Sequence, residues 1–153
     1  MSGVIRADGT VLGFDVGARR IGVAVGNGMT GTARAVAVVD VHPNGPDWAR
    51  IEQLRRDWRP DGCVVGDPMA LDGGDQPVRR MAQAFARELH VRTRLPVMMV
   101  DERHSSQEAA RRFAMQRAEG SRKRRDAALL DAEAAAVILE RWLAAPQDAS
   151  AVP

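Results

Sequence analysis

Three short β-rich runs follow one another without room for a helix between them, and this constrains the fold more than any other feature of the chain. They are Val11-Leu-Gly-Phe-Asp-Val16, Ile21-Gly-Val-Ala-Val25 and Ala35-Val-Ala-Val-Val-Asp-Val41, separated only by clusters of Gly, Arg, Asn and Thr. Parallel neighbours need a long crossover, so tight turns predict three consecutive antiparallel strands. The pattern then changes period. Pro46, read as a first helical position, opens a helix in which Trp48, Ile51, Leu54 and Trp58 recur at helical spacing, ending before Pro60. Gly62-Cys-Val-Val-Gly66 reads as a strand buried on both faces. Val78, Met81, Ala82, Phe85 and Leu89 mark an amphipathic helix from Asp75 to about Leu89, and Pro96 to Val100 is another buried strand. Ser105-Ser-Gln-Glu108 has the form of a capping box that starts a further helix. The basic stretch Glu119 to Arg125 interrupts it, and a last helix runs from about Ala127 to Ala144 with Asp126 as its cap. This order predicts an α/β domain over residues 1–145, one mixed sheet flanked by helices, with 146–153 a disordered tail. In such sheets chemistry gathers at the carboxyl ends of the parallel strands.

Several classes fall away on composition. A chain of 153 residues builds one core and not two lobes with a cleft between them. Cys63 is the only cysteine and the three histidines lie far apart, so disulfide frameworks and zinc sites are excluded and a bound metal would need oxygen ligands. No apolar run approaches the ~18 residues of a membrane span, and the expected location is the cytoplasm. The formal net charge is only +2, yet basic residues crowd between Arg111 and Arg125, which points to a polyanionic partner. Tyrosine is absent and aromatics make up 4% of the chain, so base stacking is not the main way such a partner would be held.

Three carboxylates stand where the pattern does not explain them. Asp15 interrupts an apolar strand, where an uncompensated charge would cost several kcal/mol to bury. It is either a turn-forming Asp that bonds amides near Gly17 or a metal ligand at a strand end. Asp101 and Glu102 follow directly on Val97-Met-Met-Val100; alternation sends them to opposite faces, so only one can share a face with Asp15. Asp131 opens the apolar stripe Ala135, Ile138 and Trp142 of the last helix and is therefore turned toward the sheet, as a metal ligand or as the partner of an arginine at the edge of the core. Carboxylates gathered in this way repel one another unless hard cations sit among them. Two Mg²⁺ ions roughly 3.5–4 Å apart would clamp the attacking and leaving oxygens of a phosphodiester.

Four ordered motifs carry a resemblance. Gly13-Phe-Asp-Val-Gly17 continuing through Arg20-Ile-Gly-Val-Ala-Val25, Val64-Val-Gly66 with Pro68 and Asp72-Gly73, Asp101-Glu-Arg103 with Ser106 and Glu108-Ala109, and Leu130-Asp131 before an Ala-rich helix are together similar to the YqgF family. Its members are described as Holliday junction resolvase-like proteins or pre-16S ribosomal RNA nucleases. The resemblance implies an RNase H-like mixed five-stranded sheet and catalytic, metal-binding acids at Asp15, Glu102 and Asp131, thus Glu102 in preference to Asp101. It also implies a Mg²⁺ or Mn²⁺ cofactor. The chain departs from the family pattern at Asp67-Pro-Met-Ala70, where Leu-Pro-Leu-Asn is usual, and at His104, where Leu is common.

On this reading Arg19, Arg20, Arg103, Arg122, Lys123, Arg124 and Arg125 contact substrate phosphates. The expected activity is metal-dependent hydrolysis of phosphodiesters in maturing the 5′ end of pre-16S rRNA, with ribosomal particles among the partners. The alternatives are a resolvase of branched DNA, which needs two sites related by symmetry and hence a homodimer rather than a monomer, and a non-catalytic RNA-binding module. Phe14-Asp-Val-Gly17 also resembles the first phosphate loop of sugar kinases and actin-like ATPases, but these need a second lobe that this length does not supply.

Overall fold

The computed structural model describes residue 5 and residues 8–68, 77–101, 130–145 and 150–151. The first strands are β1 (Thr10–Val16), β2 (Arg20–Asn27) and β3 (Thr32–His42), joined as consecutive antiparallel neighbours. A two-residue strand β4 (Gly45–Pro46) folds back on β3, and helix α1 (Trp48–Trp58) follows. Strand β5 (Gly62–Asp67), helix α2 (Pro77–Thr93) and strand β6 (Val97–Asp101) come next, then helix α3 (Leu130–Ala144) and the two-residue strand β7 (Ser150–Ala151). The sheet order is β4-β3-β2-β1-β5-β6-β7, in which β5 runs parallel to β1 and β6 parallel to β5. The five expected strands are thus its body. The two short strands extend its edges, because a two-residue pairing leaves no periodicity to read. One of them, β7, pairs with β6 from within the segment 146–153 expected to be a disordered tail. The helix expected from Ser105, the basic stretch to Arg125 and the Asp126 cap lie outside the described residues.

Two local expectations are corrected. Pro46 does not open α1: it pairs with Val41 as an edge residue, where a missing N–H does no harm. The cap is Asp47, whose carboxylate accepts from the backbone N–H of Arg50 at 3.2 Å. Helix α2 continues past Leu89 to Thr93 because Thr93 Oγ1 donates to the Leu89 carbonyl at 2.7 Å and satisfies an end carbonyl.

The period of two in β1 separates two cores. Leu12, Phe14 and Val16 join Ile21, Val23, Cys63, Val65, Val97 and Met99 on the face covered by α1 and α2. There Phe85 sits 5.4 Å from Phe14 and stacks on Trp48 at 5.3 Å, while the Arg92 guanidinium lies 4.5 Å over the Trp48 ring. Trp48 therefore packs instead of offering a free face to a base. On the other face Val11, Ala24, Val64 and Val100 meet Ala135, Ile138, Leu139 and Trp142 of α3. The closest approach depends on missing side chains, since a Cβ at Gly22 would overlap the carbonyl of Asp131 and one at Gly13 would overlap Leu139. No helix among the described residues is long and apolar enough to cross a membrane.

Candidate active site

Alternation along β1 assigns Asp15 its face. Its neighbours Phe14 and Val16 belong to the α1/α2 core, so Asp15 shares the α3 face with Val11 and Gly13, at the carboxyl end of the strand. Directly across the β1–β2 pairing stands Gly22. The space that a side chain would fill there is occupied by the backbone of Asp131, at the start of α3. Strand register and helix packing thus bring two acids, 116 positions apart by number, to one corner of the sheet. Both are half-buried.

Asp131 has a cationic partner in this corner. Arg20 Nε donates to Asp131 Oδ2 at 2.8 Å, with side-chain exposures of 57% and 36%. Of the two readings of Asp131, the arginine partner is present in the structure as Arg20. The guanidinium of Arg20, read from sequence as a phosphate contact, is bound to this carboxylate. The adjacent Arg19 is exposed in the β1–β2 turn, where its carbonyl accepts from Val41 N–H at 2.9 Å. Asp131 and Glu133 fall in the first turn of α3, where negative charge suits the helix dipole.

The choice between Asp101 and Glu102 turns on β6. Val97 and Met99 face the α1/α2 core, whereas Met98 and Val100 pack on the α3 side. Asp101 continues the first set and stands beside Asp67 in the β5–β6 register, on the face away from Asp15. Glu102 itself, with Arg103 and Arg122, Lys123, Arg124 and Arg125, lies outside the described residues. Asp67, an acid where the resemblance leads one to expect Leu, is bound by Arg79 at 2.9 and 3.3 Å on the α1/α2 side and is not drawn toward Asp15.

Nothing in the sequence singles out Asp40, although the strand register supplies the signal. It is paired with Arg20 across β2–β3, and the preceding Val39 faces the α1/α2 core, which leaves Asp40 on the face of Arg20, Asp15 and Asp131. Among the described residues no three His, Cys, Asp or Glu side chains close into a metal-holding group. The donors present in the corner are nevertheless carboxylate oxygens, which suit a hard divalent ion, and a bound guanidinium already marks the corner as a place for positive charge.

Comparison with known proteins agrees with this architecture. A family model described as "RuvX: Holliday junction resolvase" matches residues 9–145. A protein of Xanthomonas axonopodis pv. citri (strain 306) named "Putative pre-16S rRNA nuclease" is 62% identical over 152 residues, covering 99% of this chain and 98% of that protein. One of the same name from Xanthomonas campestris pv. campestris (strain B100) is 61% identical over the same length and with the same coverage. Among solved structures, "T. thermophilus RuvC in complex with Holliday junction substrate" superposes with a TM-score of 0.56 at 20% identity, over 93% of this chain and 98% of that one. The order of strands, the corner at the end of β1 and the match across residues 9–145 lead to one conclusion: the chain belongs to the RuvX family, the YqgF family of the sequence resemblance, and has the RNase H-like fold.

Proposed function

We propose that this RuvX-family nuclease hydrolyses phosphodiesters with a divalent metal, Mg²⁺ or Mn²⁺, held by Asp15, Glu102 and Asp131, and that it matures the 5′ end of pre-16S rRNA. The observation that carries the reading is the corner itself, where Asp15 at the end of β1 meets Asp131 at the start of α3. A divalent ion there supplies Lewis-acid polarisation of the phosphate and a nucleophilic water at neutral pH. The chain's own part is to hold carboxylates rigidly on a strand and a helix, since a site built on such elements keeps its geometry better than one on loops. Arg19 and the basic run Arg122, Lys123, Arg124 and Arg125 would hold phosphates without reading bases.

The RNA assignment is supported by relatives at 60% identity and above that carry the rRNA nuclease name. A second reading, cleavage of branched DNA by a homodimer, is favoured by the description of the family model. Purified protein offered a precursor 16S leader and a four-way junction, with Mg²⁺ and Mn²⁺ compared, separates them. We expect cleavage of the leader and an intact junction. The reverse result would move the chain to the second reading, and cleavage of neither would leave an RNA-binding module within ribosomal particles.

A further inference from the structure

The corner contains a cation of the protein's own, and its surroundings determine how freely it can leave. Asp131 is held at its backbone, because its carbonyl is seated against the bare Cα of Gly22, which keeps the residue at this corner. Arg20 is the movable partner: it begins β2, and its side chain is 57% exposed. Asp40 stands directly opposite Arg20 on the same face, and side chains so placed have Cβ atoms about 4.5–5.5 Å apart, well within the sweep of an arginine. Arg20 thus has two solvent-accessible carboxylates within reach, one of them the proposed metal ligand.

We infer that Arg20 is a built-in competitor of the divalent ion for Asp131, and that Asp40 is the carboxylate to which it moves when the ion binds. The inference rests on the metal-site reading above. Exchange of one solvent-accessible carboxylate for another keeps a charge-assisted hydrogen bond in both positions, so the arginine moves with little net change and no backbone rearrangement. The ion must outcompete a resident guanidinium, which raises the metal concentration at which the site fills. Arg20 is in this sense a positioning residue: it acts on the metal through Asp131.

Calorimetric titration of the full chain with Mn²⁺ tests the competition, with the Nε–H resonance of Arg20 followed by NMR during a Mg²⁺ titration. Arg20→Gln should bind Mn²⁺ about threefold more tightly than the unaltered chain, the scale set by an exposed ion pair. Arg19→Gln removes the same charge one residue away without touching Asp131 and should change the affinity much less. Mg²⁺ should shift the Arg20 Nε–H signal, and Asp40→Asn should alter its position at saturation. If Arg20→Gln matches the unaltered chain or merely matches Arg19→Gln, the competition is overturned while the metal site stands. If Asp40→Asn leaves the saturated signal unmoved, the second resting place is overturned. If the unaltered chain shows no Mn²⁺ binding that Asp15→Asn removes, the metal-site reading fails and the competition fails with it.

Discussion

Asp15 interrupts the apolar run of β1 and Asp131 opens the apolar stripe of α3, so a substitution at either is informative. Asp15→Asn keeps the shape and most hydrogen bonding of the side chain while removing the charge that a hard ion needs. We expect metal-dependent cleavage to fall by at least about 10²-fold, since even outer-shell changes at metal sites cost 10–100-fold. The melting temperature without metal should stay equal or rise as repulsion among the acids is relieved. Full cleavage by this variant, in a preparation checked for contaminating nucleases, would falsify the assignment. Cys63 shows the opposite use of burial. It is wholly enclosed on the α1/α2 side, and desolvation pushes its thiol up to about 12. The folded protein should therefore resist thiol reagents at neutral pH. Above the ordinary thiol range the unfolded chain ionises and the folded one does not, so this contribution to stability is whole below about pH 8.5 and is lost as pH rises toward 12. Denaturant titrations from pH 8 to 11 should decline less steeply for Cys63→Ala than for the unaltered chain.

Among the secondary-structure elements, the decisive relation is how closely α3 can approach β2. The helix is rich in alanine, and Ala132, Ala134, Ala135 and Ala136 are all buried, so its backbone comes down onto a strand that offers Gly22 and Ala24. Gly22→Ala places a methyl group where the Asp131 carbonyl now lies. Overpacking of this kind costs about 1–3 kcal/mol. The loss of activity should exceed what that destabilisation explains, because the helix start that carries Asp131 is the part displaced. Chemical denaturation read beside cleavage at a temperature where the variant is fully folded separates the two effects. On the other face the α1 cap is a purely structural element. Asp47→Ala should lower stability by about 1 kcal/mol and leave cleavage unchanged, as measured by the same pair of assays.

For the protein in its entirety, the relevant field is local, since a net charge of +2 is too small to hold a polyanion by itself. If Arg122, Lys123, Arg124 and Arg125 grip phosphates, their joint neutralisation should weaken RNA binding alike across sequences. It should also flatten the dependence of log K on log salt by up to about 0.7–0.9 for each phosphate that the run neutralises. An unchanged slope would assign the run to solubility. Much of the architecture is legible in the chain because it is written in local periods: the tight turns among β1, β2 and β3, the helical stripes Trp48–Trp58 and Val78–Leu89, and the apolar strands at Gly62 and Val97. Asp15 and Asp131 can be picked out for the same reason, each breaking or opening a period that leaves no local role for a charge. What no local period encodes is pairing across long sequence separations. The seating of Asp131 on Gly22, the bond from Arg20 to Asp131, the position of Asp40 opposite Arg20, and the capture of Asp67 by Arg79 depend on strand register and on helix approach. The order of amino acids alone identifies which residues are anomalous and what chemistry they could perform. Which of them meet is settled when the strands pair and α3 docks, because a one-residue change of register would turn each of these side chains to the other face of the sheet.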